Sequence, residues 1–105
     1  VVVIDDEFRY VMVNPAFTRM SGYELAGVVG NDASLTNSDQ HDAAFYAQSR
    51  AAMLEQGHWA GEMWQRRKDG REFLCAMQSN AINEPGSPHR LFVLVATDIT
   101  DRRRI

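Results

Sequence analysis

The sequence has a single cysteine and no long apolar run, and each shortage excludes a class of protein. Because Cys75 has no partner, the chain cannot form an internal disulfide, which fits a reducing compartment, and we expect a cytoplasmic domain. No apolar stretch approaches the roughly 20 residues that cross a bilayer, and no signal peptide is visible. We therefore expect no direct insertion into a membrane.

Basic charge is also scarce. Eleven Lys and Arg residues are outnumbered by 14 Asp and Glu residues, giving a formal net charge of -3. Such a chain offers no basic field for nucleic acid, and the short run Arg66-Arg67-Lys68 is typical of a solvated turn. The chain has no glycine-rich phosphate loop, no cluster of metal ligands and no nucleophile with a paired base. We therefore expect neither a metal site nor enzymatic activity in this segment.

The size of the chain indicates one compact domain. A chain of 105 residues with 45% hydrophobic content can form a single core but not two. It starts within the apolar run of residues 1–4 and stops in the charged run of residues 101–105. We therefore expect a domain cut from a longer protein.

The strongest local signal is a hairpin within residues 58–82, where two strand-like runs flank Lys68-Asp69-Gly70. A two-residue turn would place odd residues of the first strand beside even residues of the second. A three-residue loop with Gly70 left-handed keeps odd beside odd. We prefer the loop because it gathers the apolar side chains on one face. That face holds Trp59, Met63, Phe73, Cys75 and Met77, with Gln65 and Ser79 as its polar members.

The segment before the hairpin predicts two strands followed by helices. Residues 1–4 and 10–13 are β-branched or aromatic runs typical of strands. Asn14 and Pro15 predict the start of a short helix that Gly22 ends, followed by a helical turn over residues 23–26. Residues 30–39 predict a loop with at most one helical turn.

One long helix and one more strand complete the chain. Residues 41–56 predict the helix, capped by Ser38 or Asp39, with Arg50 on its solvent face. Residues 83–88 predict a loop. Residues 91–97, apolar on both faces, predict a central strand. The fold class is therefore α+β: a five-stranded antiparallel sheet with all helices between strands 2 and 3.

Three short motifs stand in a specific order along this arrangement. They are Val13-Asn14-Pro15-Ala16-Phe17 with Gly22-Tyr23, then Trp59-Ala60-Gly61-Glu62 leading into Arg66-Arg67-Lys68-Asp69-Gly70, and finally Asp98-Ile99-Thr100. In this order the chain resembles, over essentially its whole length, a PAS domain, the sensory module of bacterial signalling proteins. The resemblance implies strand order 2-1-5-4-3, a sensory domain over residues 1–100 and the start of a helical signalling linker at residues 101–105.

The resemblance also implies a function. PAS domains commonly serve as input modules of histidine kinases in two-component systems, or of diguanylate cyclases and other cyclic-di-GMP enzymes. The inner face of the sheet and the helices would enclose a pocket for a small ligand, and the signal would leave through Asp98, Ile99 and Thr100. Fold alone does not assign the ligand. The candidate pocket residues are Trp59, Met63, Gln65, Cys75, Met77 and Phe92.

Flavin is one cofactor that the resemblance leaves open. Flavin-binding members of the family often place an amide side chain at the position of Gln65, where it bonds a ring edge. The light-sensing branch has Asn-Cys-Arg-Phe where this chain reads Asn31-Asp32-Ala33-Ser34, which excludes a cysteine photoadduct of that kind. Cys75 is expected to be a small core residue. Noncovalent FAD, acting as a redox sensor, needs no cysteine.

The resemblance also allows two other functions, haem binding and a dimerisation module without a ligand. In the haem-binding branch the axial ligand is a histidine on the long helix, and His41 would be that ligand. Against haem, Gly61 stands where oxygen sensors place an arginine. In a ligand-free dimerisation module, side chains would fill the pocket. Pocket volume distinguishes these cases, since small-molecule sites usually exceed roughly 300 Å³.

The outer face of the sheet is expected to form a homodimer together with the flanking helices. Burial of an apolar surface at about 25 cal/mol per Å² favours association once ordering costs are met. A ligand would then change how the two sheets meet. The residues of this dimer face are Val1, Val3, Trp64, Leu74, Ala76, Val93 and Val95.

Overall fold

The computed structural model describes residues 1–83, 86 and 88–100. The predicted linker at residues 101–105 and residues 84, 85 and 87 of the predicted loop lie outside this described part. The elements are β1 (Val2–Asp5), β2 (Tyr10–Val13), α1 (Pro15–Ser21), α2 (Leu25–Val28), a 3-10 turn (Ala33–Thr36), α3 (Ala43–Gln56), β3 (His58–Arg66), β4 (Glu72–Asn83) and β5 (Arg90–Asp98).

The five strands form one antiparallel sheet in the order β2-β1-β5-β4-β3. Helices α1, α2 and α3 and the 3-10 turn lie between β2 and β3 in the chain. Both the α+β class and the strand order predicted from the sequence are therefore confirmed. None of the helices in the described part is long and apolar enough to cross a membrane.

The β3–β4 hairpin has the predicted register. Met63 lies opposite Cys75 and Gln65 opposite Phe73, so odd residues face odd residues. The Arg67 backbone N–H donates to the Arg71 carbonyl at 2.8 Å, which closes a loop of three residues. Gly70 in that loop has φ 91°, a left-handed conformation that glycine adopts without steric cost.

The core lies between the odd face of the hairpin and the helices. Met63, Phe73, Cys75 and Met77 are all buried on this inner face. The same face continues across the sheet, because Ile4 of β1 pairs with Phe92 of β5. Buried side chains from the helices complete the core, among them Phe17 of α1 and Met53 of α3.

Helices α2 and α3 start later than the sequence predicts, whereas α1 starts at Pro15 as predicted. Helix α3 begins at Ala43, and its cap is Asp42, whose carboxylate accepts from the Phe45 N–H at 2.9 Å. Neither Ser38 nor Asp39 caps it, because the Ser38 hydroxyl accepts from the Gln40 N–H and the Asp39 carboxylate pairs with Arg66. Helix α2 starts at Leu25, later than the predicted turn at residues 23–26. Residues preceding a helix offer several possible caps, and sequence alone does not choose among them.

The outer face of the sheet needs one correction to its predicted membership. Leu74, expected to contact water there, is only 5% exposed. Its carbonyl accepts from the Ile99 N–H at 2.9 Å, and its own N–H donates to Thr100 Oγ1 at 3.0 Å. The chain leaving β5 therefore runs against β4 at this point. Val1 and Val95 are exposed, whereas Val3, Trp64, Ala76 and Val93 are half-buried.

Candidate functional site

An internal cavity of about 80 Å³ lies between the inner face of the sheet and the helices. Its wall is mainly apolar, with Ile4, Phe17 and Trp59 among the lining residues. Four of the five methionines of the chain also line it: Met20, Met53, Met63 and Met77. Methionine is unbranched and flexible, so this wall can adapt its shape more readily than a wall of β-branched residues.

One end of the cavity is polar. Gln65 Nε2 donates to Thr36 Oγ1 at 3.3 Å, and Asn37 pairs with Gln65 through an isolated backbone bridge. The Tyr10 hydroxyl lies 3.5 Å from the same Thr36 oxygen. Burial raises the pKa of the Tyr10 phenol, so it stays a neutral hydrogen-bonding group. This polar end offers both donors and acceptors to the edge of a ring.

A charged pair, Arg50 with Asp32, also adjoins the cavity. Arg50 lines the wall, and one guanidinium nitrogen lies 2.6 Å from the Asp32 carboxylate. Partial burial opposes ionisation of Asp32, but hydrogen bonds from Arg50 and Ser34 outweigh it and lower its pKa to about 2. The sequence predicts that Arg50 points to solvent; its side chain does remain accessible to water, but it also reaches the cavity wall. No local signal would have paired it with a residue 18 positions earlier.

Phe8 and Phe92 form a stacked pair beside the cavity. Their ring centroids are 5.9 Å apart with planes 10° from parallel, and the Arg50 guanidinium lies 4.7 Å above Phe8. Phe8 has φ 63°, a conformation that costs a bulky residue on the order of 1–3 kcal/mol. Phe8 lines the cavity, while Phe92 packs behind it. Phe92 therefore belongs to the core and not, as predicted, to the cavity wall.

The other predicted pocket residues divide in the same way. Trp59, Met63, Gln65 and Met77 line the cavity, whereas Cys75 does not. Burial, with a smaller effect from nearby Asp98, raises the pKa of the Cys75 thiol to about 12. Since the thiolate is the reactive form, Cys75 is an inert core residue at neutral pH.

His41 does not have the surroundings of a haem ligand. It precedes α3 and does not line the cavity. Its Nε2 accepts a hydrogen bond from the Trp64 N–H at 2.8 Å, and its ring stacks on Phe45 at 4.0 Å. The nitrogen that would bind iron is therefore engaged with the edge of β3. These residues do not fit a haem group, and no cluster of three or more metal-ligating side chains occurs within the described ranges.

The segment at the end of β5, here called the exit turn, comprises the last residue of that strand, Asp98, together with Ile99 and Thr100. Asp98 Oδ1 accepts from the Thr100 N–H at 3.0 Å and from its hydroxyl at 2.7 Å. Ile99 is buried. These bonds hold the exit turn in one conformation against β4.

Arg67, at the tip of the hairpin, joins the exit turn to the rest of the fold. Its guanidinium lies 2.8 Å from the Asp98 carboxylate, donates to the Met20 carbonyl and sits 4.3 Å above the Phe73 ring. Partial burial opposes ionisation of Asp98, but the bonds from Arg67 and Thr100 prevail and lower its pKa. Since Met20 lines the cavity, Arg67 connects the cavity wall with the exit turn.

The chain matches the family model described as PAS domain over residues 1–101, and it belongs to that family. It is 25% identical over 96 residues to a nitrogen fixation regulatory protein of Klebsiella oxytoca, and 24% identical to that of Klebsiella pneumoniae. Each match covers 91% of this chain and 19% of the relative. The chain thus spans about a fifth of the length of those relatives.

Solved structures show the same fold. An RNA-binding Light-Oxygen-Voltage receptor superposes with a TM-score of 0.85 and 23% identity, over 97% of this chain and 29% of that chain. The LOV domain of a blue-light activated histidine kinase from Erythrobacter litoralis gives 0.82 and 20%, over 94% of each chain. A PAS domain from Colwellia psychrerythraea gives 0.80 and 19%, over 96% of this chain and 87% of that one. At these identities the structures establish the fold alone.

Proposed function

We propose that this domain is the sensory input module of a larger regulatory protein, a histidine kinase or a cyclic-di-GMP enzyme. Its cavity binds a small planar ligand through the polar end, and FAD is the first ligand to test. The domain itself performs no catalysis, and its ligand state controls an output domain elsewhere in the protein.

The observation that carries this proposal is the polar end of an otherwise apolar cavity. A carboxamide, Gln65, and a hydroxyl, Thr36, are held together there at 3.3 Å. Their mutual bond is long and easily exchanged for bonds to a ligand. A planar ring with polar atoms along one edge would take up these bonds and bury its apolar faces against the methionines.

The cavity must enlarge to admit such a ring. Its volume of about 80 Å³ is well below the roughly 300 Å³ of most small-molecule sites. Rotation of the four lining methionines supplies the extra room at low cost, because each has three rotatable bonds and no branched carbon. Ligand entry would therefore move the Met20 side chain, and the backbone carbonyl of the same residue accepts a hydrogen bond from Arg67.

Arg50 suits a ligand that carries an anionic group. Its side chain is 35% exposed and already binds a carboxylate, that of Asp32. A phosphate could take the place of Asp32, since a guanidinium binds either group through two parallel hydrogen bonds. FAD has both the planar ring and the phosphates.

The output is proposed to pass through the exit turn into a homodimer. Displacement of Met20 would shift Arg67, and with it the carboxylate of Asp98. The outer face of the sheet, centred on Trp64, Val93 and Val95, is the proposed contact between the two copies. Val95 is exposed there and Trp64 and Val93 are half-buried, so the apolar area that remains accessible supports association, and flanking helices outside the present chain would add to it.

The test uses the purified domain and FAD. The absorption spectrum from about 300 to 600 nm identifies a flavin that stays bound through purification, and a titration of the flavin-free protein gives the affinity. Gln65→Leu should weaken binding by about 1–3 kcal/mol, because a polar edge loses its partner. Gln78→Leu is the matched control, since Gln78 is exposed on the opposite face. Equal affinity for wild type and Gln65→Leu would remove Gln65 from the site.

A ligand-free interaction module is the second candidate function. The small cavity favours it, since about 80 Å³ between packed methionines and aromatic rings resembles a slightly loose core. In that case the domain would dimerise through its outer face without binding any ligand. A protein that carries no chromophore, binds no FAD at millimolar concentration and still dimerises would establish this candidate over the first.

A further inference from the structure

A second concave site lies outside the cavity, at the tip of the β3–β4 hairpin. This groove has a volume of about 590 Å³ and shares only Met20 with the cavity wall. It is formed by the end of α1, the hairpin loop and the exit turn. Its lining includes Arg19, Ser21 and Gly22 at the end of α1, Lys68 and Asp69 in the hairpin loop, and Thr100 in the exit turn.

The groove is basic in an acidic chain. Four of the 11 Lys and Arg residues line it, namely Arg19, Arg67, Lys68 and Arg71, against the acidic residues Asp69 and Glu72. The chain as a whole has a net charge of -3. Positive charge is therefore concentrated at one concave site, where it raises the local concentration of anions.

The four cations of the groove differ in their salt bridges. Arg67 pairs with Asp98, and Arg71 pairs with Asp69 at 2.9 Å. Arg19 and Lys68 form no ion pair with any residue in the described part of the chain.

The carboxylate of Glu72 does not neutralise Arg19 or Lys68. It accepts hydrogen bonds from the Ser38 hydroxyl and from the Gln40 side-chain amide at 3.4 Å, which direct it toward the loop before α3. The groove therefore keeps two cationic side chains available for a ligand.

We propose that this groove binds a small organic phosphate of about nucleotide size. The Arg19 guanidinium can bind two phosphate oxygens at once, and Lys68 adds a point charge beside them. A volume of about 590 Å³ falls within the range of small-molecule sites. Thr100 contributes to the lining, so the groove extends to the exit turn. The groove borders the output segment, and it shares Met20 and Arg67 with the proposed path from the cavity to the exit turn.

Isothermal titration calorimetry with inorganic pyrophosphate, ATP and adenosine tests the proposal on the purified domain at low ionic strength. We expect saturable binding of pyrophosphate and ATP, weakening as salt is raised, and none of adenosine. Arg19→Gln and Lys68→Gln should each weaken binding about five-fold, the value of one exposed charge contact. Arg9→Gln removes the same charge at a distant exposed pair with Glu7 and should leave the affinity unchanged.

Three results would overturn the proposal. The first is the absence of saturable heat with either phosphate compound up to about 10 mM. The second is equal weakening by Arg9→Gln, which would show a response to net charge and not to the groove. The third is loss of binding in Arg50→Gln with full binding in Arg19→Gln and Lys68→Gln, which would place the phosphate at the cavity.

Discussion

Replacing Arg67 by Gln tests whether this side chain ties the hairpin, α1 and the exit turn together. The change removes the charge while keeping a polar side chain of moderate length. It eliminates the ion pair with Asp98 at 2.8 Å and the cation–π contact at 4.3 Å from the Phe73 ring. It also leaves the Met20 carbonyl without its guanidinium donor.

The expected loss of stability is about 2 kcal/mol. The cation–π contact contributes about 0.5–1 kcal/mol, and the loss of a donor to a partly buried carbonyl costs about 1 kcal/mol. The ion pair adds about 0.5 kcal/mol, because its side chains remain 25% and 34% exposed and water screens them. For a domain of this size, such a loss lowers Tm by roughly 10 °C.

Thermal unfolding followed by circular dichroism measures this difference. Arg71→Gln is the matched control, because Arg71 pairs with Asp69 on the same loop but is 80% exposed. Its Tm should stay within roughly 2 °C of wild type. If Arg67→Gln and Arg71→Gln melt at the same temperature, Arg67 does not hold these elements together.

The same variant has a defined dependence on pH. Asp98 has a lowered pKa in the folded domain. Its stabilising effect is therefore complete above its pKa in the unfolded chain, about 4, and declines as the pH falls through its pKa in the folded domain. The Tm difference between wild type and Arg67→Gln should therefore be full at pH 7 and narrower at about pH 3. A difference that stays constant with pH would show that the ion pair contributes nothing.

The inner face, the thiol and the outer face each give a further prediction. Met77→Asp places an unpaired charge in the core and should prevent folding. The control Gln78→Asp, on the exposed face, should fold normally, and circular dichroism measures both variants. A folded Met77→Asp variant would contradict the face assignment. Cys75 should resist a thiol reagent at pH 8 in the native domain and react at once in denaturant, and fast native labelling would refute its burial. In a longer chain that includes both flanking helices, the wild type should sediment as a dimer in analytical ultracentrifugation. The double variant Val93→Glu with Trp64→Glu should sediment as a folded monomer. A wild-type monomer at high concentration would refute the dimer.

The fold could be predicted from the sequence because its signals are local. The parity of apolar residues on either side of Lys68-Asp69-Gly70 requires a three-residue loop, and that loop sets the register of the longest strands. Asn14 and Pro15 likewise mark the start of α1, and Asn14 Oδ1 accepts from the Phe17 N–H as a cap should. Such features depend only on neighbouring residues.

The parts of the site that could not be predicted depend on contacts between distant segments. Arg50 is on the polar side of α3 by periodicity, yet it binds Asp32 at the cavity wall. Leu74 is an even residue of β4 and is therefore predicted on the outer face, yet the exit turn packs against β4 beside it. The sequence pattern places His41 on the helix, but its ring bonds the edge of β3, 23 residues away. No sequence pattern indicates where a loop or chain end will pack.

A ligand in the cavity is proposed to alter the exit turn, and one NMR titration tests this coupling most directly. Isotope-labelled domain is titrated with FAD, and the Gln65 side-chain amide is followed together with the backbone amides of Ile99 and Thr100. We predict that all three signals shift with one dissociation constant, and that Gln65→Leu moves the whole response to higher FAD concentration. Saturable shifts at the cavity with unchanged Ile99 and Thr100 signals, or no saturable shift at all, would contradict the coupling.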